Sequence, residues 1–403
     1  MFPCKGWTKG QNWGTTCGLL NISGSTDDAV AVVGAGPAGS AAATALARRG
    51  VPVWLLEKAT LPRYKTCGGG VLPRAYQMLP ARAAEVVERT FHSVLLNFHG
   101  EGLHYTATRP EPLVRMTMRA GLDNLLADEA REAGARLLDR CQVRQVTAKH
   151  DGVELRTDRG VFQVRFVIAA DGVWSPTAKA CGWPALRRLA PALEWELYLP
   201  AEEFARLGGT ARFDFGFIDA GYAWVFPKRR HLSAGILTTG RANLNLAARM
   251  EEYLRGLGIS RIERSEKHGH VIPLEPRRGP LARGRVLLVG DAAGLADPIT
   301  AEGISHALSS GRLAAEAILT HQPDAVQVAN HYQKLLEQNI LAELRAARRL
   351  AKFIHQYPRL RHWAFRWQGR RLAHFAAGVV MGERSYREAL MDPRNYLKML
   401  GRR

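Results

Sequence analysis

The 403-residue chain lacks several features that would assign it to a narrow class of proteins. Its longest apolar runs, such as Phe375 to Met381, fall far short of the ~18 residues that a membrane-spanning helix needs. Its five cysteines form no C-x-x-C pair, which argues against zinc, an iron–sulfur cluster and a disulfide framework. A basic and then apolar leader is also missing. We therefore expect a cytoplasmic protein that has no transmembrane helix and no metal site.

Acidic residues are scarce, and the formal net charge is +19. The segment 331–403 alone carries 16 Lys and Arg against 5 Asp and Glu. Such an excess attracts anionic partners. No nucleic-acid-binding motif accompanies the charge, so we expect an anionic membrane surface rather than DNA or RNA. The alternative is a solvated helix face in a basic protein.

The first periodic segment predicts a βαβ unit. Ala29–Val33 and Val51–Leu56 are short apolar runs, as in buried parallel strands, and an alanine-rich helix over Ala38–Arg49 lies between them. Gly50 then ends the helix. This is the expected order and length of a unit that carries a dinucleotide site at its first turn.

Three glycines in that first turn form the G-x-G-x-x-G pattern. Gly34 permits the tight turn, Gly36 lets the backbone approach a pyrophosphate, and Gly39 lets the helix pack closely. Pro37 and Ala38 open the helix, whose free amides and positive dipole end suit phosphate. The pattern indicates a dinucleotide without saying which one.

An acidic residue ends the second strand. Glu57 lies 23 residues beyond Gly34, where its carboxylate can accept hydrogen bonds from both hydroxyls of an adenosine ribose. A carboxylate there repels a 2′-phosphate, which disfavours NADP at this site. Lys58 follows directly, and we assign it to the same site.

A second Gly-Asp block, some 250 residues later, indicates a long ligand that is bound at both ends. Gly290 and Asp291 follow an apolar strand, and Gly303 and Ile304 open a helix after a proline-containing loop. Asp291 is placed to hold a ribityl chain, and the amides at Gly303 and Ile304 to stabilise negative charge on the N1/C2 edge of a flavin. FAD fits this pair of blocks, and a nicotinamide cofactor bound alone fits it poorly.

Two further blocks narrow the assignment. Pro62–Gly70 contains Cys-Gly-Gly-Gly, and Gly221–Lys228 reads Gly-Tyr-Ala-Trp-Val-Phe-Pro-Lys. With the two glycine blocks, they resemble the geranylgeranyl reductase family within the aromatic-hydroxylase-like flavoprotein superfamily. The resemblance implies noncovalent FAD and reduction of carbon–carbon double bonds in a polyprenyl chain. It also implies that these further residues contact FAD: Thr66, Gly68, Gly69, Arg119, Val143 and Asp171.

Four side chains in these blocks are candidates for chemistry or substrate contact. Cys67 enters a loop that lies against the flavin, where its thiol can donate a proton or simply pack as a small hydrophobe. Tyr222, Trp224 and Phe226 are spaced by two, so they share one face of a strand. That face suits a long apolar chain, although it also suits a sheet core. We assign Cys67, Tyr222 and Trp224 as catalytic, and Tyr222, Trp224 and Phe226 as substrate-binding.

The fold class expected from these patterns is α/β. We expect a Rossmann-like FAD-binding domain over 28–182 and 276–325. An antiparallel substrate sheet over 183–275 is inserted between these two parts, and a short segment near 90–115 also belongs to that sheet. Within the FAD-binding domain, the segments Arg136–Val146 and Val164–Ala170 have strand character. Residues 1–27 are expected to be a flexible extension, and 326–403 a basic helical region. The last region combines Trp363 and Trp367 with arginines, which suits either a monotopic membrane-surface helix or a helical cap on the protein's own core.

The expected activity is reduction of an isoprenoid lipid by hydride from flavin N5, with Cys67, Tyr222 or a water as the proton donor. One alternative is an FAD monooxygenase or halogenase, although the Trp-x-Trp-x-Ile-Pro segment of halogenases is absent and Tyr222–Pro227 is the nearest stretch. Another is a non-catalytic flavin protein at a membrane. NADPH and ferredoxin, an electron-donor protein, both remain open as the source of electrons, and a peripheral membrane location is consistent with the basic tail.

Overall fold

The computed structural model of the protein describes residues 28–240 and 244–391. Its strands are β1 Val30–Val33, β2 Val53–Leu56, β3 Gly70–Val71, β4 Val87–Phe91, β5 Ser93–Phe98, β6 Leu103–Thr108, β7 Val114–Thr117, β8 Arg136–Leu138, β9 Val143–Ala148, β10 Val153–Thr157, β11 Gly160–Val164, β12 Phe166–Ala169, β13 Leu189–Tyr198, β14 Ala211–Phe215, β15 Gly221–Pro227, β16 Leu232–Thr238, β17 Arg264–Pro273, β18 Ala282–Arg283 and β19 Val286–Leu288. Its α-helices are α1 Pro37–Ala47, α2 Pro73–Tyr76, α3 Arg119–Glu132, α4 Pro176–Ala180, α5 Ala201–Leu207, α6 Leu246–Gly256, α7 Gly290–Ala293, α8 Ile304–His321, α9 Ala325–Leu336, α10 Ala342–Gln356, α11 Pro358–Met381 and α12 Tyr386–Met391. A 3₁₀ helix covers Ala81–Val86, and a π-helical turn over Glu337–Leu341 joins α9 to α10. The predicted extension 1–27 lies outside the described residues.

A six-stranded sheet in the order β18-β19-β12-β1-β2-β8 forms the Rossmann-like part. Its five strands from β19 to β8 run parallel, and every residue of β1, β2, β12 and β19 is buried. Continuous apolar runs such as Val30–Val33 are what a sheet covered on both faces requires. Helix α1 packs beside α3 and α8 over this sheet. The α/β fold class is confirmed.

A seven-stranded sheet in the order β17-β13-β16-β15-β14-β5-β6 forms the second layer. Its neighbours are antiparallel except for β14 and β5, where Phe213 pairs with Leu96 in a parallel register. Strands β5 and β6 come from the 90–115 segment and therefore join strands that lie a hundred residues later. This sheet carries the aromatic alternation that the sequence shows.

The segment Arg136–Val146, which has strand character in the sequence, contributes to two strands. It forms β8 and β9, which belong to different sheets, because the chain turns sharply at Arg140, where φ is +48°. The Cys141 amide then donates to the Glu57 carbonyl, which fixes the turn beside the end of β2. Strands β9 to β11 form a separate antiparallel sheet that packs on the parallel sheet, with Trp54 and Phe162 in edge-to-face contact at 5.2 Å.

Helices occupy most of the described C-terminal region, as the sequence predicts for it. The long helix α11 has a kink at Gln368, whose φ of −130° and ψ of 17° are not helical. Among residues 28–240 and 244–391, no helix combines the length and the apolar character that crossing a bilayer demands. The residues after 391 lie outside the described part of the chain.

Candidate active site

The parallel sheet and the seven-stranded sheet enclose one large cavity of about 1940 Å³. Ligand pockets commonly measure roughly 300–1000 Å³, so this cavity has room for a dinucleotide and a second molecule. It is lined by nearly all the site residues that the sequence predicts: Gly34, Gly36, Pro37, Ala38, Glu57, Lys58, Thr66, Cys67, Gly68, Gly69, Arg119, Val143, Asp171, Tyr222, Trp224, Phe226, Asp291, Gly303 and Ile304. The exception is Gly39, which lies behind the cavity wall.

The glycine turn has the shape that the motif requires. A β-carbon on Gly39 would lie 1.9 Å from the carbonyl oxygen of Gly34, so only glycine lets α1 start this close to the turn. Gly34 itself has φ of +105°, in the left-handed region. At Gly36, by contrast, a β-carbon would meet only the Arg63 guanidinium at 3.8 Å, so the backbone there is open to a ligand. The N-terminus of α1 points its free amides at the same place.

Glu57 is buried at the end of β2 and ties this turn together. One carboxylate oxygen accepts from the Ala35 amide and the other from the Ala59 amide, both at 3.0 Å. Arg63 lies between Glu57 and Asp123, with contacts of 3.4 Å and 3.0 Å. The sequence does not reveal its role as a bridge, because Asp123 lies 60 residues away in the chain. Oε2 accepts from both Ala35 and Arg63, so Oε1 is the oxygen that keeps a lone pair for a ribose hydroxyl.

Arg119 is the first residue of α3 and lies in the cavity wall. Its guanidinium donates two hydrogen bonds to Asp123, at 2.7 and 2.8 Å. Asp123 is completely buried, and it therefore holds both Arg63 and Arg119 in fixed positions. The two arginines extend the positive end of the dinucleotide site along the cavity.

The second glycine block lines the opposite end. The carboxylate of Asp291 has no hydrogen-bond partner within the described ranges, which leaves it free for a ligand hydroxyl. Gly303 caps α8, and the first helical residue is Ile304, so unpaired amides face the cavity there. Behind them, Glu302 accepts from Ser305 and pairs with Arg74 at 2.8 Å. Burial alone would raise the pKa of Glu302, but Arg74 holds this pKa below its ordinary value.

Two predicted cofactor contacts lie at the rim of the cavity. Val143 begins β9, and Asp171 follows β12. The Asp171 carboxylate already accepts from the Ser175 hydroxyl at 2.5 Å and from the Thr177 amide at 2.9 Å. These hydrogen bonds stabilise the turn that leads into α4. A direct contact of Asp171 with FAD stays a prediction.

The Cys-Gly-Gly-Gly loop crosses the cavity between the two sheets. Cys67 is half-buried, and its sulfur accepts a hydrogen bond from the Gly69 amide at 3.4 Å. A β-carbon on Gly68 would lie 2.8 Å from the Phe226 ring, and one on Gly69 would lie 2.0 Å from the Thr117 carbonyl oxygen. The loop thus has no room for side chains, which is why it can lie flat against a planar ring.

The aromatic row lies on the cavity face of the seven-stranded sheet. Tyr222, Trp224 and Phe226 point into the cavity from β15, while Ala223 and Val225 between them belong to the core on the other face. The Tyr222 hydroxyl donates to the Thr300 carbonyl oxygen, and burial raises its pKa. Both facts make Tyr222 a poor acid, and its catalytic assignment stays a prediction. Trp224 has a buried indole N–H without a partner in the described structure.

A buried acidic cluster next to this row was missed at the sequence level. Glu194 on β13 accepts from the Cys67 amide at 2.7 Å and from the Ser233 hydroxyl at 2.5 Å. Lys228, just beyond β15, is fully buried and donates to the Gly68 carbonyl oxygen at 2.6 Å. Period-two spacing of Glu194 and Glu196 in a strand is the one signal that could have found them.

Cationic groups gather around the end of the cavity where the sequence predicts the flavin. Burial lowers the pKa of Lys65, and Arg119 beside it lowers it further. Burial together with Lys65 lowers the pKa of His270 to about 4, so this imidazole is neutral at pH 7. Its Nε2 is buried without a partner in the described structure. Unpaired polar atoms at His270, Trp224 and Asp291 fit a polar planar ligand such as a flavin.

Comparisons with known proteins agree with this geometry. Residues 27–197 match the FAD binding domain family. A digeranylgeranylglycerophospholipid reductase of Methanopyrus kandleri is 32% identical over 364 residues, covering 81% of this chain and 90% of that protein. A menaquinone reductase of Mycobacterium tuberculosis is 30% identical, with 84% and 86% covered.

A solved structure shows the same fold. A geranylgeranyl bacteriochlorophyll reductase-like protein from Thermoplasma acidophilum superimposes with a TM-score of 0.72 at 21% identity, covering 92% of this chain and 95% of that one. The predicted family and the predicted cofactor are confirmed. The chain belongs to the geranylgeranyl reductase family of FAD-dependent oxidoreductases.

Proposed function

We propose that this enzyme reduces carbon–carbon double bonds in the prenyl chain of an isoprenoid lipid. One observation carries the proposal: the cavity continues from the flavin site into an apolar lobe. We define this lobe by its wall residues, which are Val94, Leu96, Phe98, Leu113, Leu372 and Ala377. A wall of aliphatic and aromatic groups offers dispersion contact and demands few hydrogen bonds, which suits a hydrocarbon chain.

The register of the seven-stranded sheet explains how the lobe meets the flavin site. Leu96 pairs with Phe213, which pairs in turn with Trp224, so the three side chains form one continuous row across β5, β14 and β15. Phe98, Phe215 and Tyr222 form the next row in the same way. A prenyl chain in the lobe would therefore lie along these rows, with its far end at the Cys67 loop.

The cofactor, when bound and reduced, supplies hydride to one alkene carbon, and a nicotinamide or an iron–sulfur protein restores its electrons. The chain's own residues hold the alkene and provide the proton for the other carbon. We assign that proton to Cys67, because its thiol lines the cavity at the loop, while the Tyr222 hydroxyl is engaged by Thr300. An isolated alkene accepts hydride poorly, so alignment and exclusion of water must lower much of the barrier.

We also propose that the lobe is filled from an anionic membrane surface through α11. Up to its kink, this helix exposes Leu360, Trp363 and Trp367 at helical spacing, with Trp367 70% exposed, and Tyr357 directly before the helix is exposed as well. The opposite face packs on the protein, where Phe365 contacts Phe98 at 4.3 Å between ring centroids. Gln368, next to Trp367, lines the cavity. Exposed arginines beside the apolar face suit a monotopic surface helix.

Incubation of the FAD-loaded protein with dithionite and a panel of prenyl lipids, without oxygen, tests the proposal. A prenyl phospholipid, a prenylated quinone and a prenyl diphosphate should be compared by mass spectrometry. The expected product gains two hydrogens per reduced double bond. Oxygen consumption with an oxygenated or halogenated product would favour the monooxygenase or halogenase alternative. Absence of any product from fully loaded protein would favour a flavin-binding role alone.

A further inference from the structure

A buried acid lies directly behind the Cys67 loop, on the cavity face of the seven-stranded sheet. Glu194 is 1% exposed, and its strand pairs it with Gly235 on one side and His268 on the other. The Trp224 ring covers Gly235, where a β-carbon would lie 2.1 Å from the indole. The carboxyl group therefore lines the cavity between the aromatic row and the loop, where the flavin motifs assign it no role.

The acid has a route to solvent. The Tyr64 hydroxyl lies 3.4 Å from carboxylate oxygens of both Glu194 and Glu196, and Tyr64 itself is 39% exposed. Its ring stacks on His268 at 4.1 Å. Tyr64 thus connects a fully buried carboxyl group with the protein surface.

The charged surroundings favour the protonated carboxyl. Burial raises the pKa of Glu194, and the neighbouring Glu196 raises it further. Glu196 is in turn paired with His231 at 2.8 Å. The titratable and charged groups that face Glu194 come from every adjoining element: Glu196 on β13, Lys228 after β15, His231 before β16, His268 on β17, and Tyr64 and Cys67 on the loop.

We propose that Glu194 is the proton reservoir that recharges Cys67 after each reduction, with Tyr64 as its link to solvent. This inference rests on the proposed function. In the reduction, hydride from the two-electron-reduced flavin forms one C–H bond, while the S–H bond of Cys67 breaks and its proton forms the other. The Glu194 O–H bond then breaks and its proton restores the thiol, directly or through one water in the cavity. Solvent returns a proton to the Glu194 carboxylate through the Tyr64 hydroxyl.

The substitution Glu194→Gln separates this role from a structural one. A glutamine can keep both contacts, because its carbonyl oxygen accepts from the Cys67 amide and its NH₂ donates to the Ser233 hydroxyl. It cannot carry a transferable proton. In the FAD-loaded protein we expect a first turnover at the wild-type rate, because its proton comes from the Cys67 thiol itself, followed by steady turnover slowed by about 10²-fold.

A second measurement needs no turnover. The infrared spectrum of the FAD-loaded, oxidised protein should contain a protonated-carboxyl C=O band that disappears in Glu194→Gln. In the matched control Glu196→Gln, the band of the protonated Glu194 carboxyl should still be present. It should disappear at a lower pH than in the wild type, because the negative charge of Glu196 no longer raises the pKa of Glu194. That pH should still be higher than for a solvent-exposed glutamate, because Glu194 stays buried. Tyr64→Phe should keep the carboxyl band of Glu194. Its steady turnover should nevertheless be slow, because Tyr64 no longer returns protons to Glu194 from solvent.

The outcomes are distinguishable from failure of the proposed function. Product formation with no burst in Glu194→Gln, or no carboxyl band in the wild type, would overturn the reservoir role while the reductase activity stands. No product in the wild type would overturn the proposed function itself. Should Glu194→Gln fail to bind FAD, Tyr64→Phe decides alone: equal first and later turnovers would contradict the proposal.

Discussion

The ammonium group of Lys228 lies 2.6 Å from the carbonyl oxygen of Gly68 and 3.0 Å from that of Thr117. It thereby joins the seven-stranded sheet to the Cys67 loop and to the end of β7. Burial lowers the pKa of this lysine, while Glu196 and Glu194 act against that effect. The Cys67 loop is therefore held from behind by a fully buried lysine.

Lys228→Met should destabilise the protein. The substitution leaves two buried carbonyl groups without a donor and removes the cation beside two buried carboxyl groups, at a cost on the order of 3 kcal/mol. Urea unfolding should show this loss, and the exposed Lys179→Met should show almost none. Equal unfolding midpoints for Lys228→Met and the wild type would contradict the anchoring role.

Gly39→Ala should abolish FAD binding. The added β-carbon would lie 1.9 Å from the Gly34 carbonyl oxygen, so either the turn or the start of α1 must move. The flavin-to-protein ratio of the purified variant measures the effect. Gly256→Ala is the matched control, because no atom lies within 4 Å of its added β-carbon. A Gly39→Ala protein with a full complement of flavin would show that close packing at this turn is dispensable.

His270 should make stability depend on pH. Its pKa falls from 6.5 in the unfolded chain to about 4 in the fold. As the pH falls from about 6.5 to about 4, the His270 imidazole binds a proton in the unfolded chain but not in the folded one. The free energy of unfolding therefore decreases over this range. Unfolding free energies of the wild type and His270→Gln should diverge in that window. The exposed His104→Gln should follow the wild type, and an identical slope in His270→Gln would refute the assignment.

Leu96→Trp should narrow the apolar lobe without affecting the flavin site. Leu96 lines the cavity from β5, whereas Leu95 beside it does not line the cavity. We expect KM for long prenyl chains to rise about tenfold and that for short chains to change less. Leu95→Trp is the control, and flavin content should stay full in both. An unchanged preference for chain length in Leu96→Trp would place the substrate elsewhere.

The doubly substituted Trp363→Ser/Trp367→Ser protein should lose affinity for anionic vesicles. Trp363 is 49% exposed and Trp367 70%. Burying a large apolar side chain is worth about 1.5–3 kcal/mol, so the loss of both rings should weaken binding by about a hundredfold or more. Sedimentation with phosphatidylglycerol vesicles measures this affinity. Trp174→Ser, which removes an equally exposed ring from another part of the surface, should bind as the wild type does. If both variants sediment equally, α11 is not the docking face.

The sequence predicts the parts of this site that depend on local spacing. The turn at Gly34 and Gly36, the acid at Glu57 and the start of α8 at Ile304 follow from motifs whose residues are close together in the chain. The aromatic row of Tyr222, Trp224 and Phe226 follows from the two-residue period of a strand. The period does not show whether this face of the strand lines a cavity or packs in the core of the sheet.

The rest depends on pairings between distant segments. Glu194 meets the Cys67 amide across 127 residues, and Lys228 reaches Gly68 across 160. Such contacts depend on which strands become neighbours in the sheet. The pairing of β5 with β14 is parallel and joins distant segments, so no local sequence pattern predicts it. For the same reason the strand character of Arg136–Val146 does not reveal the turn at Arg140, which the contact of Cys141 with Glu57 fixes.

In the proposed reaction, electrons pass from the flavin of this protein to a prenyl double bond. The most direct test mixes the photoreduced, FAD-loaded protein with a prenyl lipid under strict exclusion of oxygen and follows the flavin absorbance for a single turnover. The oxidised flavin spectrum should return, with one double bond saturated for each flavin reoxidised. A flavin that stays reduced in the presence of every prenyl lipid, while it reoxidises normally on admission of air, would show that prenyl double bonds do not accept its electrons.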